Sequence, residues 1–263
     1  MRPTWPSPVF PTPQHQRAAE KAARFFSGRE SIDTVLVTNS IARGAAVPDS
    51  DLDMNVLLRT GATQGQADAM QLEWNAFLAE DPLLRAFEAG GPFRQVHLDV
   101  TIGQFIPSEW DDGGGPDAFE IGIGNLLRAA PLGQRGGHFL QFRQLWLPYY
   151  MEEMRIRRLQ MVRGACRYDL SFVPFYSARD LVFQAFDRLY RAFQEFLQGL
   201  FIARRVYPIA YNKWIREQVS GWLGLPELYD RLPGILALPA LEPALLDEHA
   251  RRLEALLEEW VVD

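Results

Sequence analysis

Two short apolar runs on either side of a polar turn constrain this chain more than any other feature. Residues 35–37 are apolar, as are residues 54–58 apart from Asn55, and the length of the two runs predicts two short buried strands. Asp51 and Asp53 lie two residues apart where the second strand begins. Side chains alternate along a strand, so both carboxylates are expected on one face. Like charges that close repel each other, which predicts a divalent cation between them.

The turn between the two strands has the composition of a phosphate site. Small residues at positions 40–46 predict a short helical segment, with Ser40 near its N-terminus and Gly44 allowing close approach of a ligand. Helix N-termini carry unpaired N–H groups and a partial positive charge, which favour phosphate. A phosphate site next to metal-binding carboxylates is typical of a nucleotide site.

Ser40, Gly44, Ser50, Asp51 and Asp53 together form a recognisable pattern. It resembles the signature of the DNA polymerase β-like nucleotidyltransferase superfamily, which usually reads Gly-Ser, a few residues, Gly, then Ser-Asp-x-Asp. One departure is Asn39, which stands where the family usually has glycine. Asparagine tolerates left-handed backbone better than most residues, so we expect the turn to form.

A third carboxylate belongs to a later strand. Residues 94–102 alternate, with Val96, Leu98 and Val100 predicted on one face and His97, Asp99 and Thr101 on the other. The family places a carboxylate of this kind beside the Asp-x-Asp pair. The resemblance therefore implies that Asp99 is a metal ligand, the general base for an acceptor hydroxyl, or both. Taken without the motif, an aspartate on a polar strand face is usually only solvated.

The resemblance also implies the ligands. Asp51, Asp53 and Asp99 would hold one or two Mg²⁺ ions, and a nucleoside triphosphate, expected to be ATP, would be the co-substrate. Ser40, Gly44 and Ser50 would contact its phosphates; Arg43 is either a further phosphate contact or a surface arginine. Antibiotic-modifying members of the superfamily have a helical second domain that contributes a lysine to the triphosphate. Lys213, between Tyr211 and Trp214, is the candidate here, and a lysine packed beside a tryptophan is the alternative.

Composition limits the class of acceptor, the cellular compartment and the kinds of metal site that this chain is expected to have. The net charge of −6 argues mildly against a nucleic-acid acceptor and is compatible with a cationic small molecule. The chain has a single cysteine, Cys166, which we expect to be a small buried residue. One cysteine excludes an intrachain disulfide, which fits a reducing cytoplasm. The four histidines lack the spacing of a zinc site. Residues 1–13 lack the pattern of a secretory signal, and no apolar run has the length of a membrane span.

Periodicity predicts the organisation. Residues 1–13 are an expected extended lead-in, residues 14–132 a nucleotidyltransferase domain and residues 133–263 a helical domain, with a hinge at 132–137. Helices are predicted at 14–26 and 63–80, then at 138–147, 150–168, 177–204, 209–223 and 243–261. The expected fold class is α+β: a small mixed β-sheet domain with flanking helices, followed by an all-α helical bundle. Glu120 is a reserve carboxylate, and the acidic loop 110–117 is expected to be a surface connection.

Three functional interpretations remain open. The first is a metal-dependent nucleotidyltransferase acting on a hydroxyl of a small acceptor such as an aminoglycoside-like antibiotic, as a monomer or homodimer. The second is transfer to a protein or to tRNA. The basic clusters at residues 155–158 and 204–205 would favour tRNA, and solvated helix faces explain them equally well. The third is a catalytically silent NTP-binding module of a toxin–antitoxin system, supported only by Asn39.

Overall fold

The computed structural model describes residues 6–109 and 115–262. The chain forms two compact units, and it passes between them three times. Unit 1 comprises residues 1–105 and 123–148, and unit 2 comprises residues 106–122 and 149–263. This division differs from the predicted single boundary at 132–133.

A four-stranded mixed sheet forms the centre of unit 1. Its strands are β1 (Ile32–Val37), β2 (Leu52–Leu58), β3 (Val96–Thr101) and β4 (Ala130–Arg135), in the spatial order β3-β2-β1-β4. Strand β1 is antiparallel to both β2 and β4, whereas β2 and β3 are parallel. The α+β class with a small mixed sheet and flanking helices is therefore confirmed, as are the three strands predicted from periodicity.

Helices connect and flank these strands. They are α1 (Pro13–Phe26), α2 (Asn39–Ala42), α3 (Gln64–Glu80), α4 (Pro82–Glu88), α5 (Phe119–Leu127) and α6 (Gly137–Trp146). Helix α3 begins as predicted at Thr63, whose side chain forms a capping box with Gln66. The crossover through α3 and α4 is what allows β2 and β3 to be parallel, because parallel strands cannot be joined by a tight turn.

One face of the sheet carries the hydrophobic core of unit 1. The buried side chains of β2 and β3 on this face, Leu52, Met54, Val56, Val96 and Leu98, pack with residues of α1, α3 and α4, including Phe26, Trp74 and Phe87. Alternation then places Asp53 and Asn55 of β2, and His97 and Asp99 of β3, on the opposite face. The fold thus separates apolar and polar residues on the two strands.

The predicted hinge at 132–137 is wrong. Residues 130–135 form β4, which pairs with β1, and residue 137 opens α6. The glycines in this stretch gave the impression of a flexible connection. Gly133 does need its positive φ of 79°, but within a paired strand. Pairing with β1 is a long-range interaction that local composition does not reveal.

Unit 2 is built mainly from helices. They are α7 (Glu152–Ser177), α8 (Val182–Ala203), α9 (Pro226–Leu236) and α10 (Pro243–Trp260), with a π-helical turn at Glu217–Trp222. The apolar stripe of α8 packs as predicted along most of its length: Leu189, Phe193, Phe196 and Leu197 are buried in a core with α7 and α10. Cys166 belongs to the same core and is fully buried, as predicted.

Several helix predictions in unit 2 need correction: α8 begins at Val182 instead of 177, and α9 was not predicted. Helix α7 runs to Ser177, through Pro174, instead of ending at 168. Pro174 lies three residues from the end of the helix, where a missing N–H removes only one backbone hydrogen bond. The predicted helix at 209–223 is irregular at its start and becomes π-helical from Glu217. Across the described residues, no helix is long and apolar enough to cross a membrane.

A buried aspartate joins the sheet to α6. Asp33 of β1 accepts hydrogen bonds from the backbone N–H groups of His138, at 3.0 Å, and Phe139, at 2.9 Å. The carboxylate thus caps the N-terminus of α6 from a distant part of the chain, where the local N-cap residue Gly136 has no side chain to do so. A Cβ atom on residue 136 would collide with the Asp33 carboxylate at 1.8 Å, which explains the glycine.

Replacing Asp33 by alanine is expected to lower the free energy of unfolding by about 1–3 kcal/mol, because two N–H groups lose their acceptor in a buried place. Urea unfolding followed by circular dichroism measures the change. Asp68→Ala, an exposed aspartate on α3, is the matched control and should change stability little. Equal effects of the two substitutions would contradict the capping role.

Candidate functional site

The parallel pairing of β2 with β3 brings the predicted carboxylates together. In register, Asp53 pairs with His97 and Asn55 pairs with Asp99. Paired residues of neighbouring strands project to the same side of a sheet, so the four side chains share one face. We call Asp53, Asn55, His97 and Asp99 the acidic face. His97 and Asp99 are exposed, and Asp53 and Asn55 are partly exposed.

Asp51 lies at the entrance of the acidic face. It directly precedes β2, and its Oδ2 is 3.8 Å from Nε2 of His97. Its side chain is 41% exposed, which leaves the carboxylate accessible to a ligand. The structure therefore places Asp51, Asp53 and Asp99 on one side of the sheet, as predicted. It also adds His97, which sequence reasoning counted among scattered histidines although its alternation with Asp99 was visible.

The predicted phosphate turn lies beside the same strand. The N–H of Thr38 donates a 2.9 Å hydrogen bond to the backbone oxygen of Asp53, which ties the start of the turn to the acidic strand. Helix α2 follows at Asn39–Ala42, so Ser40 is in its first turn, as predicted. Gly44 adopts a φ of 71°, a left-handed conformation that favours glycine.

Asn39 adopts the backbone conformation that a glycine would provide. Its φ is 52°, in the left-handed region that asparagine enters more readily than most residues. The turn therefore forms with asparagine in this position, as expected. Arg43 follows α2 directly and is partly buried.

Ser50 has a structural role in the loop before Asp51. Its Oγ accepts a hydrogen bond from the N–H of Val47 at 2.9 Å, and its own N–H donates to the carbonyl of Val47. The Oγ hydrogen is not used in the bond to Val47, so the hydroxyl retains a donor. A phosphate contact by Ser50 stays a prediction.

His15 is a residue of this region that sequence reasoning missed. It is fully buried in α1, and its Nε2 lies 2.9 Å from the backbone oxygen of Ser50, adjacent to Asp51. A carbonyl only accepts, so Nε2 carries the hydrogen, and Nδ1 accepts from the Thr12 hydroxyl at 2.7 Å. Burial lowers the pKa of His15 below its ordinary value of 6.5. Nothing in the sequence links residue 15 to residue 50.

Lys213 belongs to unit 2, where its side chain is exposed. The buried side chain of Gln218 organises the segment that carries it. Its Oε1 accepts from the N–H of Ile209 at 2.8 Å, and its Nε2 donates to the carbonyls of Ala210 and Lys213. The next residue, Trp214, has a φ of 59°, which is unusual for a large side chain. A contact between Lys213 and the triphosphate stays a prediction.

Glu120 is not available as a catalytic carboxylate. It is fully buried in unit 2, where Arg158 forms a two-pronged ion pair with it, at 2.6 and 2.8 Å. The hydroxyl of Tyr150 and the amide of Gln198 complete its hydrogen bonds. The charge is therefore neutralised and satisfied internally, which is typical of a structural ion pair. Residues 110–114 of the acidic loop lie outside the described residues.

The donor set fits Mg²⁺ bound together with a nucleotide. Within the described residues, no group of three or more His, Cys, Asp and Glu side chains is arranged to hold a metal ion by itself. Mg²⁺ usually takes only one or two carboxylates, and substrate phosphates and water supply the remaining ligands. Asp51 and Asp53, with Asp99 on the next strand, are oxygen donors of this kind. Among the described residues, the side-chain oxygen of Asn55 on the same face has no hydrogen-bond partner and is shielded from solvent.

Neither the protein-family models nor the curated proteins gave a match to this chain. The resemblance to the nucleotidyltransferase superfamily therefore rests on the motif residues.

The conformation of Asn39 generates a first prediction. Asn39→Gly should fold as stably as the wild type, whereas Asn39→Val should lower the free energy of unfolding by about 1–2 kcal/mol, because a β-branched residue is strained at a φ of 52°. Chemical unfolding of both variants measures the difference. A valine variant as stable as the glycine variant would show that the turn relaxes to another conformation.

The buried His15 generates a second prediction. Because folding lowers its pKa, the unfolded chain binds a proton more readily, and this histidine makes stability fall as the pH drops through 6.5. His15→Gln removes the titrating group, so its melting temperature should fall less than that of the wild type between pH 7.5 and 5.5. Differential scanning calorimetry at both pH values gives the comparison. Parallel declines in the two proteins would exclude the effect.

Proposed function

We propose that the protein is a metal-dependent nucleotidyltransferase. In this proposal it moves a nucleoside monophosphate, expected to be AMP, from the triphosphate to a hydroxyl of a small cationic acceptor, and pyrophosphate is released. An aminoglycoside-like antibiotic is an acceptor of this kind, and the cytoplasm is the expected location. We also propose that unit 2 acts as a separate helical domain of the enzyme.

One observation carries the proposal: the predicted phosphate turn is hydrogen-bonded to β2, the strand that carries Asp53 of the acidic face. The Thr38–Asp53 hydrogen bond holds Asn39 and Ser40 next to the residue that begins the acidic face. The β2–β3 register then adds Asp99 on the same side. A phosphate-binding turn beside carboxylates suits a triphosphate whose negative charge needs both N–H donors and a cation.

Each residue has a role in the proposed reaction. Asp51 and Asp53 would hold Mg²⁺, which when bound neutralises charge on the triphosphate and on the departing pyrophosphate. Asp99 accepts the proton as the acceptor oxygen attacks the α-phosphorus and the bond to the β-phosphate breaks. Backbone N–H groups at the start of α2, near Ser40, bind phosphate oxygens, whereas the N–H of Gly44 already donates to the carbonyl of Ile41 and Gly44 only gives the ligand room to approach. The remaining phosphate contacts in this proposal, Ser50, Arg43 and Lys213, follow from the resemblance.

The negative charge of the acidic face, and of Asp51 beside it, supports a cationic acceptor. Asp51 is 41% exposed, and Asp99 is exposed as well. Such carboxylates attract cations and repel a polyanion such as nucleic acid. An amino group on the acceptor would add favourable charge where a second negative group would add repulsion.

The alternative of a tRNA acceptor loses part of its sequence support. Arg155 and Arg158 of the first basic cluster are buried, and they form ion pairs with Glu152 and Glu120. Arg205 of the second cluster also pairs with Glu152. Hydrogen bonding to Arg155 lowers the pKa of Glu152 to about 2, with a smaller contribution from Arg205. These arginines are therefore engaged within the protein.

The silent-module alternative is weakened in a similar way. Its one indication was asparagine in place of glycine, and Asn39 adopts the left-handed backbone that the turn needs. Transfer to a protein side chain has no observation for or against it.

Calorimetric titration of the four NTPs with Mg²⁺ tests the proposal. We expect one NTP to bind in a Mg²⁺-dependent manner, and Asp53→Asn to weaken that binding by about tenfold or more, because a charged metal ligand is lost. Asp49→Asn is the matched control: Asp49 is an exposed aspartate four residues upstream, and its substitution should leave binding unchanged. Equal binding by wild type and Asp53→Asn would disprove the metal role.

A further inference from the structure

The N-terminal segment contacts the predicted phosphate turn and also the residue before Asp51. The N–H of Val9 donates a 3.0 Å hydrogen bond to the carbonyl of Ile41 in α2. Further along the segment, Nε2 of His15 donates to the carbonyl of Ser50 at 2.9 Å. We call residues 9–15 the N-terminal strap. One short segment therefore holds both the turn and the start of the carboxylate-bearing stretch.

The imidazole of His15 is itself held in place. It is fully buried and makes a T-shaped contact with the ring of Phe87, at 4.8 Å between ring centroids. Its Nδ1 accepts from the hydroxyl of Thr12 at 2.7 Å, so the ring hydrogen is on Nε2 and is directed at Ser50. A buried ring with both nitrogens bonded keeps one tautomer and one orientation, so it can define the position of its partner.

The bond to Ser50 fixes the peptide unit that leads into Asp51. The carbonyl of Ser50 and the N–H of Asp51 belong to one planar unit, so holding the oxygen also holds the orientation of the N–H. On the other side of Asp51, the N–H of Leu52 donates to the carbonyl of Gln95 at 2.8 Å. Both peptide units that flank the Cα atom of Asp51 are therefore anchored, and the carboxylate is oriented by its side-chain torsions alone.

Helix packing does not explain a histidine at position 15. The other buried residues of α1 are apolar, and an apolar side chain here would fill the same space. An imidazole is costly to bury unless its nitrogens are hydrogen-bonded. One of its two bonds joins a carbonyl 35 residues away in the sequence. The histidine is therefore suited to holding the loop before Asp51.

We propose that His15 is a positioning residue of the candidate site: its hydrogen bond to Ser50 fixes the backbone of Asp51 relative to the phosphate turn, which the same strap holds at Ile41. This inference deepens the proposed function and rests on it for the roles of Asp51 and the turn. His15 is buried, so it acts through Asp51 instead of contacting a ligand.

Three variants of the full-length chain test this role. His15→Leu removes the donor to Ser50. His15→Gln is the conservative variant, because its amide can donate to Ser50 and accept from Thr12. His138→Leu is the matched control: the ring of His138 bonds the carbonyl of Leu58, at the opposite end of β2 from Asp51.

Two measurements are made on each protein at pH 8, well below every melting temperature. The lowered pKa of His15 keeps its ring neutral at this pH, so the glutamine variant changes no charge. Hydrogen exchange followed by mass spectrometry reports the opening of residues 39–52 without any ligand. Calorimetric titration with each of the four NTPs and Mg²⁺ reports the site.

We expect His15→Leu to lose exchange protection at residues 47–52 and to bind the NTP about tenfold more weakly or worse, the effect typical of residues that orient a ligating side chain. His15→Gln should restore both properties to near the wild-type values. His138→Leu should match the wild type in both, although it also loses a histidine–carbonyl bond. Loss of stability alone would not separate the two leucine variants in this way.

Other outcomes contradict the inference and are distinct from failure of the proposed function. Wild-type NTP binding by His15→Leu overturns the role of His15 and leaves the function intact. Equal weakening in His15→Leu and His138→Leu also overturns it, because general destabilisation then explains both. A wild type that binds no NTP contradicts the proposed function, and exchange decides the rest: unchanged protection in His15→Leu overturns the positioning of Asp51, and lost protection supports it.

Thr12→Val keeps the test decisive if His15→Leu does not fold. This variant leaves the imidazole in place but removes the hydroxyl that sets its tautomer and orientation. Faster exchange at residues 47–52 with weaker NTP binding supports the role of His15. Wild-type behaviour in both measurements overturns it.

Discussion

The parallel pairing of β2 with β3 is the constraint from which the candidate site follows. Parallel neighbours require a crossover, and α3 with α4 provides it while covering the apolar face of the sheet. The polar residues of both strands are then confined to the opposite face. A one-residue slip in this pairing would place Asp99 in the core, so burial of Leu98 and Val96 fixes the position of the acid.

Local patterns predicted a large part of this arrangement. An apolar run located β2 and alternation located β3. The period of a strand put Asp53 and Asp99 on polar faces, and the Thr63 cap located the start of α3. The left-handed conformation of Asn39 was also expected from its residue type. These features depend on residues that are close together in the sequence, so they can be predicted from local sequence patterns alone.

The features that escaped prediction depend on distant residues. Strand β4 exists because β1 offers it a hydrogen-bonding edge, and the bond from His15 to Ser50 joins segments 35 residues apart. The arginine cluster around Arg158 looked like a solvated basic surface, yet its charge is matched by Glu120, 38 residues earlier. A run of basic residues in a sequence does not show whether acidic residues distant in the sequence neutralise it in the fold.

The passage of the chain between the two units has a consequence for how the protein is made. Strand β1 is synthesised early, but its neighbour β4 follows only after the first segment of unit 2. During synthesis from the N-terminus, β1 therefore presents an open hydrogen-bonding edge until β4 emerges, and such edges are prone to pair with other chains. For the same reason a fragment that ends before β4 would keep the carboxylates of the acidic face but lack an edge strand of its sheet. Separating the two units at a single cut is incompatible with this chain path.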